Sequence, residues 1–598
     1  MNKKVLVGLA AVIIIGILAA AGIIIYDKIA EKYRESEVKT ELTAYYNVPE
    51  GEAMLIFDEK VYEKNGLYLN GEVYLDLPTV SEKYTTLFMW SPEENRLYYT
   101  TATKAYIFTP DEKEMLVNEK QVENEIPMVV MKDGVPYVSM SFLSTCSNIT
   151  YRVYTEPARV LLTYSTDEYL CANLKEETSI RVGQDIKSDY LEKLTKGSKV
   201  RVIEGGGIQQ NGFIKVMSED GVRGYILEEK LDWENRFNET PSFNAFEAEK
   251  YKHITSNEKI FLSWQLVYSK GHISEMLDNL NKNPEINVVS PTWFFMSGSN
   301  GEITSYGDPE YVAAAHERNV KVWVVLKNDV IDGVFDGAGD SHKVFSSYNS
   351  RKNLINNLVS AMEECGADGV NIDIENLNVD TGIYFVQFLR ELYFKCSEKG
   401  IVISVDNYIP ENYNAFYNIP EQSKVVDYIV IMGYDEHYMG SDAGSVSSLS
   451  WFTYAADLTL KKCPAEQIIM GVPFYTRLWK EVPDGDAVRT YSESMDLKAQ
   501  DKFLAELKIE PEWLDDAGQY YYEYEKEGAK YKLWAEEKKS LTLKAMVIDE
   551  KKLAGAAAWM MGGETDGIWS AIKSAANGDF SALSEGSSNT QEAGEISD

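Results

Sequence analysis

An acidic run with strand-like spacing is the strongest chemical signal in the sequence. Asn371, Asp373 and Glu375 alternate with Ile372 and Ile374 in the segment DGVNIDIEN. Because alternate side chains of an extended strand share a face, we expect the three polar groups to lie together and both isoleucines to face the other way. Carboxyl groups in such a position can perform general acid–base chemistry. Glu375, at the end of the run, is the predicted acid.

Asp368 begins the same segment but has the opposite parity, which favours a structural role for it. Polar side chains are costly to bury without hydrogen bonds, and a scaffold strand would carry Val, Ile or Leu at these places. The pattern therefore favours a functional site over a structural polar ladder.

Eight β-type runs alternate with helix-like stretches from about residue 258 onwards. The runs are Ile260–Tyr268, Ile286–Phe295, Val320–Asn328, Gly369–Asn376, Ile401–Tyr408, Asp427–Asp435, Gln467–Tyr475 and Gly555–Gly562. Most are continuously apolar, as expected for parallel strands covered on both faces. The alternation predicts an α/β fold, a (β/α)8 TIM barrel over residues 245–577. A doubly wound sheet is the alternative, but polar residues at the carboxyl ends of several runs favour the barrel.

The amino terminus predicts a membrane anchor. Lys3 and Lys4 precede an apolar run from Val5 to Tyr26, long enough to cross a bilayer core as a helix. A cleavable signal peptide usually has a shorter apolar core that ends in small residues, so we favour an uncleaved signal anchor over residues 1–26. The two lysines predict a cytoplasmic amino end and an extracytoplasmic catalytic domain at the cell surface. Residues 27–50 are expected to form a tether.

Short β-type runs separated by turn residues predict two small β-rich domains, at 51–170 and 176–232. The closing segment, 578–598, is rich in Ser, Gly and Glu without a basic residue and is expected to be a disordered acidic tail.

Composition excludes several classes of function. The formal charge of −35, from 59 basic and 94 acidic residues, leaves no excess of cations to bind a nucleic acid. The five cysteines are far apart and there are only five histidines, so we expect buried free thiols and no metal site. No cofactor is expected.

Several of these runs together resemble the family 18 glycoside hydrolases. DGVNIDIEN resembles the family signature DxxDxDxE, and similar matches occur in YIVIMGYDE (428–436), IIMGVPFYTRLW (468–479) and LAGAAAWMMGGETDG (553–567). The segments VVSPTWFF (288–295) and AAHERNVKVWVVLKN (314–328) look most like the spore-cortex branch of the family.

The resemblance implies a retaining reaction in which the substrate's own N-acetyl carbonyl is the nucleophile. Glu375 would protonate the leaving oxygen and then activate water, and Asp373 would orient the acetamido N–H. Tyr434 would donate its hydroxyl to the acetamido oxygen. No enzyme nucleophile is required.

Substrate contacts are also implied by the resemblance. They are expected from Asn371, Asp435, Tyr475 and Trp559, with Trp559 forming the floor of the sugar subsite. A small α+β insertion at about 480–550 resembles the element that walls the groove in many members, and from it Trp534 and Glu536 would reach the sugar. The alternative is that these two lie on an exposed hairpin.

One position departs from the family pattern, because Asn371 stands where an Asp is common. An amide cannot titrate, so Asp373 is expected to stay ionised over a wider pH range. The spore-cortex branch also tends to have Asn here, so the change does not indicate inactivation.

The resemblance leaves the glycan open. Peptidoglycan is favoured, because the ending VRGYILEEKL resembles bacterial SH3-like wall-binding domains, although a spacer role is equally compatible. Residues 51–170 loosely resemble the amino-terminal domain of bacterial copper amine oxidases. The alternatives are a chitinase, an endo-β-N-acetylglucosaminidase acting on N-glycans, or a non-catalytic glycan-binding lectin. A surface scaffold would not explain the polar run.

Overall fold

The computed structural model describes residues 3–203, 210–243, 246–329, 337–485 and 487–585. They form two compact units. The first comprises Met1–Phe88, Phe108–Met115 and Gln121–Ala248, and the second comprises Met89–Ile107, Leu116–Lys120 and Glu249–Asp598. Most of the predicted tail, 586–598, lies outside the described residues, and before it Ala582–Glu585 forms a short helix.

A closed barrel of eight parallel strands forms the centre of the second unit. Its strands are β1 (Ile260–Gln265), β2 (Val288–Pro291), β3 (Lys321–Lys327), β4 (Gly369–Asp373), β5 (Val402–Asn407), β6 (Tyr428–Met432), β7 (Ile468–Pro473) and β8 (Gly555–Trp559). Each pairs in parallel with the next, and β8 pairs back with β1. Every predicted run contains one of these strands. The predicted TIM barrel is confirmed, and the doubly wound alternative is wrong because the sheet closes.

Helices cover the outside of the barrel. They are α1 (Ile273–Lys282), α2 (Pro309–His316), α3 (Gly337–Ser346), α4 (Tyr348–Cys365), α5 (Gly382–Cys396), α6 (Ile419–Ser423), α7 (Leu449–Leu460), α8 (Lys538–Glu550) and α9 (Ile568–Ala576). Local sequence sets their ends: the Asp308 carboxylate accepts from the N–H groups of Glu310 and Tyr311 at the start of α2, and Gly366 ends α4 with a φ of 75°.

Strand parity separates the barrel's two apolar layers. Ile372 and Ile374 are buried between the strands and the covering helices. Trp264, Val325 and Val430 belong to a second cluster, which fills the barrel interior. The predicted orientation of the two isoleucines is therefore confirmed, and Asn371 and Asp373 face inward.

A small α+β insertion lies between β7 and β8. Its strands are Tyr475–Asp484, Ala487–Asp496, Glu512–Leu514, Gln519–Lys526 and Ala529–Ala535, which form one sheet, and its helix is Leu497–Leu507. The insertion was predicted at about 480–550. The sheet instead occupies residues 475–535, because the stretch that follows it forms the barrel helix α8.

Residues 89–107 pack with the barrel. The Glu94 carboxylate accepts from the backbone N–H of Tyr348 over 2.9 Å, and the Gln387 amide donates to Thr100 Oγ1 over 2.9 Å. The segment contributes to a five-stranded sheet formed by Phe88–Ser91, Arg96–Thr100, Ala105–Phe108, Glu114–Val117 and Lys120–Glu123. Residues 51–170, which were predicted as one domain, are therefore divided between the two compact units.

Two seven-stranded sheets form most of the first unit. The first consists of Thr150–Thr155, Ala158–Thr163, Glu52–Phe57, Lys60–Leu69, Glu72–Asp76, Val135–Ser139 and Val129–Lys132, with the helices Leu77–Lys83 and Met140–Leu143 beside it. The second consists of Tyr190–Leu194, Thr178–Arg181, Arg223–Leu227, Phe213–Ser218, Lys199–Val202, Tyr169–Asn173 and Phe237–Glu239. It therefore extends beyond the predicted 176–232 at both ends.

The amino-terminal helix spans Lys3–Tyr33 and is long and apolar enough to cross a membrane, with a mean hydropathy of 2.8. It continues past the predicted end at Tyr26. The expected tether is also partly ordered, because Arg181 donates to the carbonyl oxygen of Ser36 over 3.2 Å and Leu42–Tyr46 forms a helix.

Candidate active site

The predicted acid, Glu375, lies two residues beyond β4 and is half-buried. The hydroxyl of Tyr408, which follows β5, donates to Glu375 Oε2 over 2.6 Å. The next residue, Asn376, has a φ of 55°, a left-handed conformation that Asn tolerates better than most residues. The turn leaves the carboxyl group of Glu375 at the mouth of the barrel, where a ligand can reach it.

Asn328, just after β3, holds the backbone of Glu375 on both sides. Its Oδ1 accepts from the Glu375 N–H over 2.9 Å, and its Nδ2 donates to the Glu375 carbonyl oxygen over 2.8 Å. Neither Asn328 nor Tyr408 was predicted as a site residue. The available signal was their position, since both end predicted strand runs at the carboxyl side of the barrel.

Asp373 lies at the end of β4 and is only 7% exposed. Its Oδ2 is 3.4 Å from the Lys327 ammonium, whereas its Oδ1 is buried without a hydrogen-bond partner among the described residues. Burial raises the pKa of Asp373 to about 7; Lys327 opposes this rise and Glu375 adds to it. This rise differs from the expectation that Asp373 stays ionised over a wider pH range.

A second buried acid, Asp406 on β5, was not predicted from the sequence. It is 5% exposed, and its Oδ1 accepts from Asn371 Nδ2 over 2.7 Å. Burial raises the pKa of Asp406 well above its usual range, and the neighbouring charge of Asp373 adds to the rise. Asp373 therefore has an acidic neighbour even though position 371 is an asparagine.

Asn371 itself is fully buried, and its side-chain amide is used inside the barrel. Its Oδ1 accepts from Trp264 Nε1 over 2.8 Å, and its Nδ2 donates to Ser404 Oγ over 3.0 Å as well as to Asp406. The predicted substrate contact is wrong for this residue, because it has neither exposed surface nor a free hydrogen-bonding group. Asn371 instead supports the acids above it.

Tyr434 lies beyond the end of β6, beside Gly471 of β7. A Cβ atom at position 471 would be 3.1 Å from Tyr434 Cε1, so the glycine makes room for the ring. Burial raises the pKa of the Tyr434 hydroxyl well above its usual range, with contributions from Tyr475, Asp406 and others. The hydroxyl is therefore a neutral donor at physiological pH, the state that the predicted role needs.

Asp435 and Tyr475 form a pair at the rim. The Tyr475 hydroxyl donates to Asp435 Oδ1 over 2.6 Å, and the Arg477 guanidinium is 3.9 Å from the same oxygen. Asp435 has a φ of 57° and is exposed, so its side chain is accessible to a ligand. Both residues lie where a bound sugar could meet them.

Trp559 ends β8 and is half-buried, with its ring centroid 6.1 Å from that of Trp264. The Lys327 ammonium lies 5.6 Å from the Trp559 ring centroid and also pairs with Asp329 over 2.9 Å. An aromatic face at the end of a barrel strand is suited to pack against a pyranose ring.

The two residues of the insertion that were predicted to contact the sugar differ in their surroundings. Trp534 is half-buried and its ring packs on Tyr521, with centroids 4.8 Å apart. Glu536 is completely buried, accepts from Gln519, and pairs with the Lys544 ammonium at 2.5 Å. The prediction that Glu536 reaches a sugar is wrong, because its carboxylate neutralises a buried lysine.

Asp368 lies at the other end of β4, as its parity predicted. Its carboxylate binds the Lys321 ammonium at 2.8 Å, His316 Nε2 at 2.7 Å and the backbone N–H of Val322 at 2.9 Å. Burial would raise the pKa of Asp368, but the hydrogen bonds from Lys321 and His316 outweigh it and the pKa is lowered. Asp368 joins β3 to β4 and has no part in the site.

Comparison with known proteins gives two family matches. Residues 292–564 match Glycosyl hydrolases family 18, and residues 56–159 match the copper amine oxidase N-terminal domain. An uncharacterised glycosylase of Bacillus subtilis, YvbX, is 26% identical over 314 residues, which cover 51% of this chain and 89% of the relative.

Two further matches are more distant. The cortical fragment-lytic enzyme of Bacillus subtilis is 24% identical over 223 residues, which cover 36% of this chain and 50% of that enzyme. The crystal structure of a chitinase from Chromobacterium violaceum superposes with a TM-score of 0.47 at 22% identity, covering 53% of this chain and 99% of that one.

Proposed function

We propose, from the premise that this chain is a glycoside hydrolase with a family 18 domain, that it cleaves β-1,4-linked N-acetylglucosamine-containing glycans with retention. The substrate's acetamido oxygen attacks the anomeric carbon while Glu375 protonates the leaving oxygen. Asp373 stabilises the positive ring that forms, and Tyr434 orients the acetamido group. Glu375 then takes a proton from the water that opens the ring.

The observation that carries this proposal is the combination of Glu375 with Asp373 and Tyr434. The first is a half-buried carboxyl group at the barrel mouth, the second a buried acid beside it, and the third a hydroxyl that stays protonated. The exposed acid at the rim, Asp435, is bonded to Tyr475. A substrate-assisted reaction uses such a set, with one acid for proton transfer and a second to stabilise positive charge.

We favour peptidoglycan as the substrate. One relative is a cortical fragment-lytic enzyme, and another is a sporulation-specific glycosylase of Bacillus subtilis, 27% identical over 238 residues. The SH3-like resemblance of residues 176–232 agrees with a wall-binding role. Chitin and N-glycans present the same N-acetylglucosamine unit and are the competing substrates.

The proposed location is the outer face of the cell membrane. The helix Lys3–Tyr33 would be an uncleaved signal anchor, with the two β-rich regions carrying the barrel outside the cytoplasm. An anchored hydrolase of this kind would act on glycan within reach of the membrane.

Digestion of three substrates by the full chain in detergent tests the proposal. Purified cell wall, chitin oligosaccharides and a high-mannose glycopeptide are incubated separately, and products are identified by mass spectrometry. Release of saccharides with β-configured N-acetylglucosamine reducing ends from cell wall supports retention and peptidoglycan as the substrate. Products from chitin or glycopeptide alone would reassign the substrate. Binding without any product would identify a lectin and overturn the enzymatic mechanism.

A further inference from the structure

We propose that Asp373 and Asp406 share one proton, so that Asp406 supplies from β5 the acidic partner that Asn371 removes from β4. The inference rests on the proposed substrate-assisted reaction, in which Asp373 faces the acetamido group. Asp406 would act through Asp373 and is therefore a positioning residue rather than a catalytic one.

Strand register brings the two acids together. Asn371 pairs with Ser404 and Ile372 with Val405 in the parallel ladder of β4 and β5, so Asp373 and Asp406 are the next pair. Neighbouring strands lie about 4.8 Å apart. The side chains of Asn371 and Ser404 meet inside the barrel at 3.0 Å, and the two acids, two residues further on, have the same parity. Both carboxyl groups therefore point into the interior from adjacent strands.

The hydrogen bonds leave one place for a proton. Asp406 Oδ1 is occupied as an acceptor by Asn371 Nδ2, and Asp373 Oδ2 lies 3.4 Å from Lys327 Nζ. Asp373 Oδ1 is buried without a donor among the described residues. A proton on Asp406 Oδ2 would supply that donor, since buried polar atoms are normally hydrogen-bonded.

Charge balance requires such a proton at neutral pH. The titratable groups around the pair are Lys327 and Asp329 from the end of β3, Glu375, Tyr408 and Tyr434. Lys327 is the one cation among these described neighbours, and its ammonium already pairs with Asp329. Two adjacent buried carboxyl groups beside one shared ammonium are not readily ionised together, because like charges repel. The pair therefore loses its last proton only at a pH above the usual range of a carboxyl group.

The shared proton suits the reaction. As positive charge develops on the ring formed from the acetamido group, Asp373 carries the negative charge and Asp406 keeps the proton. When the ring opens, the pair returns to its starting state. The pair therefore neither consumes nor releases a proton over the cycle, and Glu375 alone exchanges protons with the leaving group and water.

The variants Asp406→Asn and Asp406→Ala in the full chain in detergent test the proposal. Asparagine imitates the protonated acid, because it can accept from Asn371 and donate to Asp373, but it cannot titrate. The charge of the pair is therefore the same in this variant as in the wild-type pair with one proton. On a chitin oligosaccharide, kcat should fall less in Asp406→Asn than in Asp406→Ala, and the acidic limb of kcat/KM should keep its position. Asp406→Ala loses the donor to Asp373, so kcat should fall about 10-fold with less change in KM.

A substrate-free measurement separates this inference from the proposed function. Infrared difference spectra of the full chain should show a protonated carboxyl band near pH 6.5 that both Asp406→Asn and Asp373→Asn abolish. If the band behaves this way while no glycan is cleaved, the proposed function fails and the shared proton stands. A band that persists in Asp406→Asn, or an acidic limb that moves down in that variant, overturns the shared proton.

Discussion

Tyr408 donates its hydroxyl to Glu375 Oε2 over 2.6 Å, from the residue immediately after β5. The contact fixes one oxygen of the predicted acid. We expect Tyr408→Phe to lower kcat about 10-fold or more, because a hydrogen bond to a charged group contributes about 1.5–3 kcal/mol. Steady-state kinetics on chitin oligosaccharides would measure it. Tyr413→Phe, at an exposed tyrosine nearby, is the matched control and should leave kcat unchanged.

Glu375→Gln should reduce turnover at least about 10²-fold while glycan binding is preserved, because general acid catalysis contributes that much. Turnover and binding are measured separately, the second by calorimetry with an oligosaccharide. Glu310→Gln, which changes an exposed acid on α2, serves as the control. Undiminished turnover in Glu375→Gln would show that another group is the acid.

Asn328→Ala should displace Glu375 while leaving its carboxyl group chemically unchanged. The change removes hydrogen bonds to both the N–H and the carbonyl oxygen of Glu375, and leaving such groups unpaired costs about 1–3 kcal/mol each. We expect a fall in kcat larger than any rise in KM. The two constants are compared with those of Asn356→Ala, an exposed position on α4. Equal changes in both variants would contradict the proposed clamp.

The Asp368 cluster should stabilise the barrel in a pH-dependent way. The pKa of Asp368 is lowered in the folded chain, so its stabilising effect is present above the unfolded pKa and is lost as pH falls through the folded value. Asp368→Asn should therefore lower the free energy of unfolding by about 1–2 kcal/mol near neutral pH. The difference should shrink towards zero in strong acid. Urea unfolding at several pH values measures it, and a constant difference would contradict the linkage.

Glu536 and Lys544 form a fully buried ion pair that the proposal gives no part in catalysis. Removing one partner leaves a buried charge, so Glu536→Gln and Lys544→Met should each destabilise the chain by about 3–5 kcal/mol. The double variant should cost less than the sum of the two. A double-mutant cycle in urea unfolding tests this coupling. Strict additivity would show that the pair is not coupled.

The barrel could be predicted because its evidence is local and repeated. Each strand is a short apolar run, and the alternating parity of Asn371, Ile372 and Asp373 follows from strand geometry alone. The same logic placed Asp368 outside the site. These features need no knowledge of which strands are neighbours.

The contacts that complete the site could not be predicted, since they depend on what neighbouring strands bring together. Asp406 lies in a run that reads as an ordinary strand, and only its register with Asp373 makes it a partner. The predicted sugar contact of Glu536 was wrong for a related reason. Its burial depends on an ion pair with Lys544, which lies on the following helix, α8. A resemblance assigns roles to positions, but it does not supply their surroundings.

The packing of residues 89–107 on the barrel has a consequence for how such a chain can evolve. The segment falls inside the stretch that matches the copper amine oxidase N-terminal domain, yet Thr100 and Glu94 bond to helices of the barrel. A recombination event that exchanged residues 56–159 as a cassette would strip those contacts from α4 and α5. Residues 56–159 and the barrel are therefore expected to be inherited together. Gene fusions that join only one of these regions to a new partner should be disfavoured.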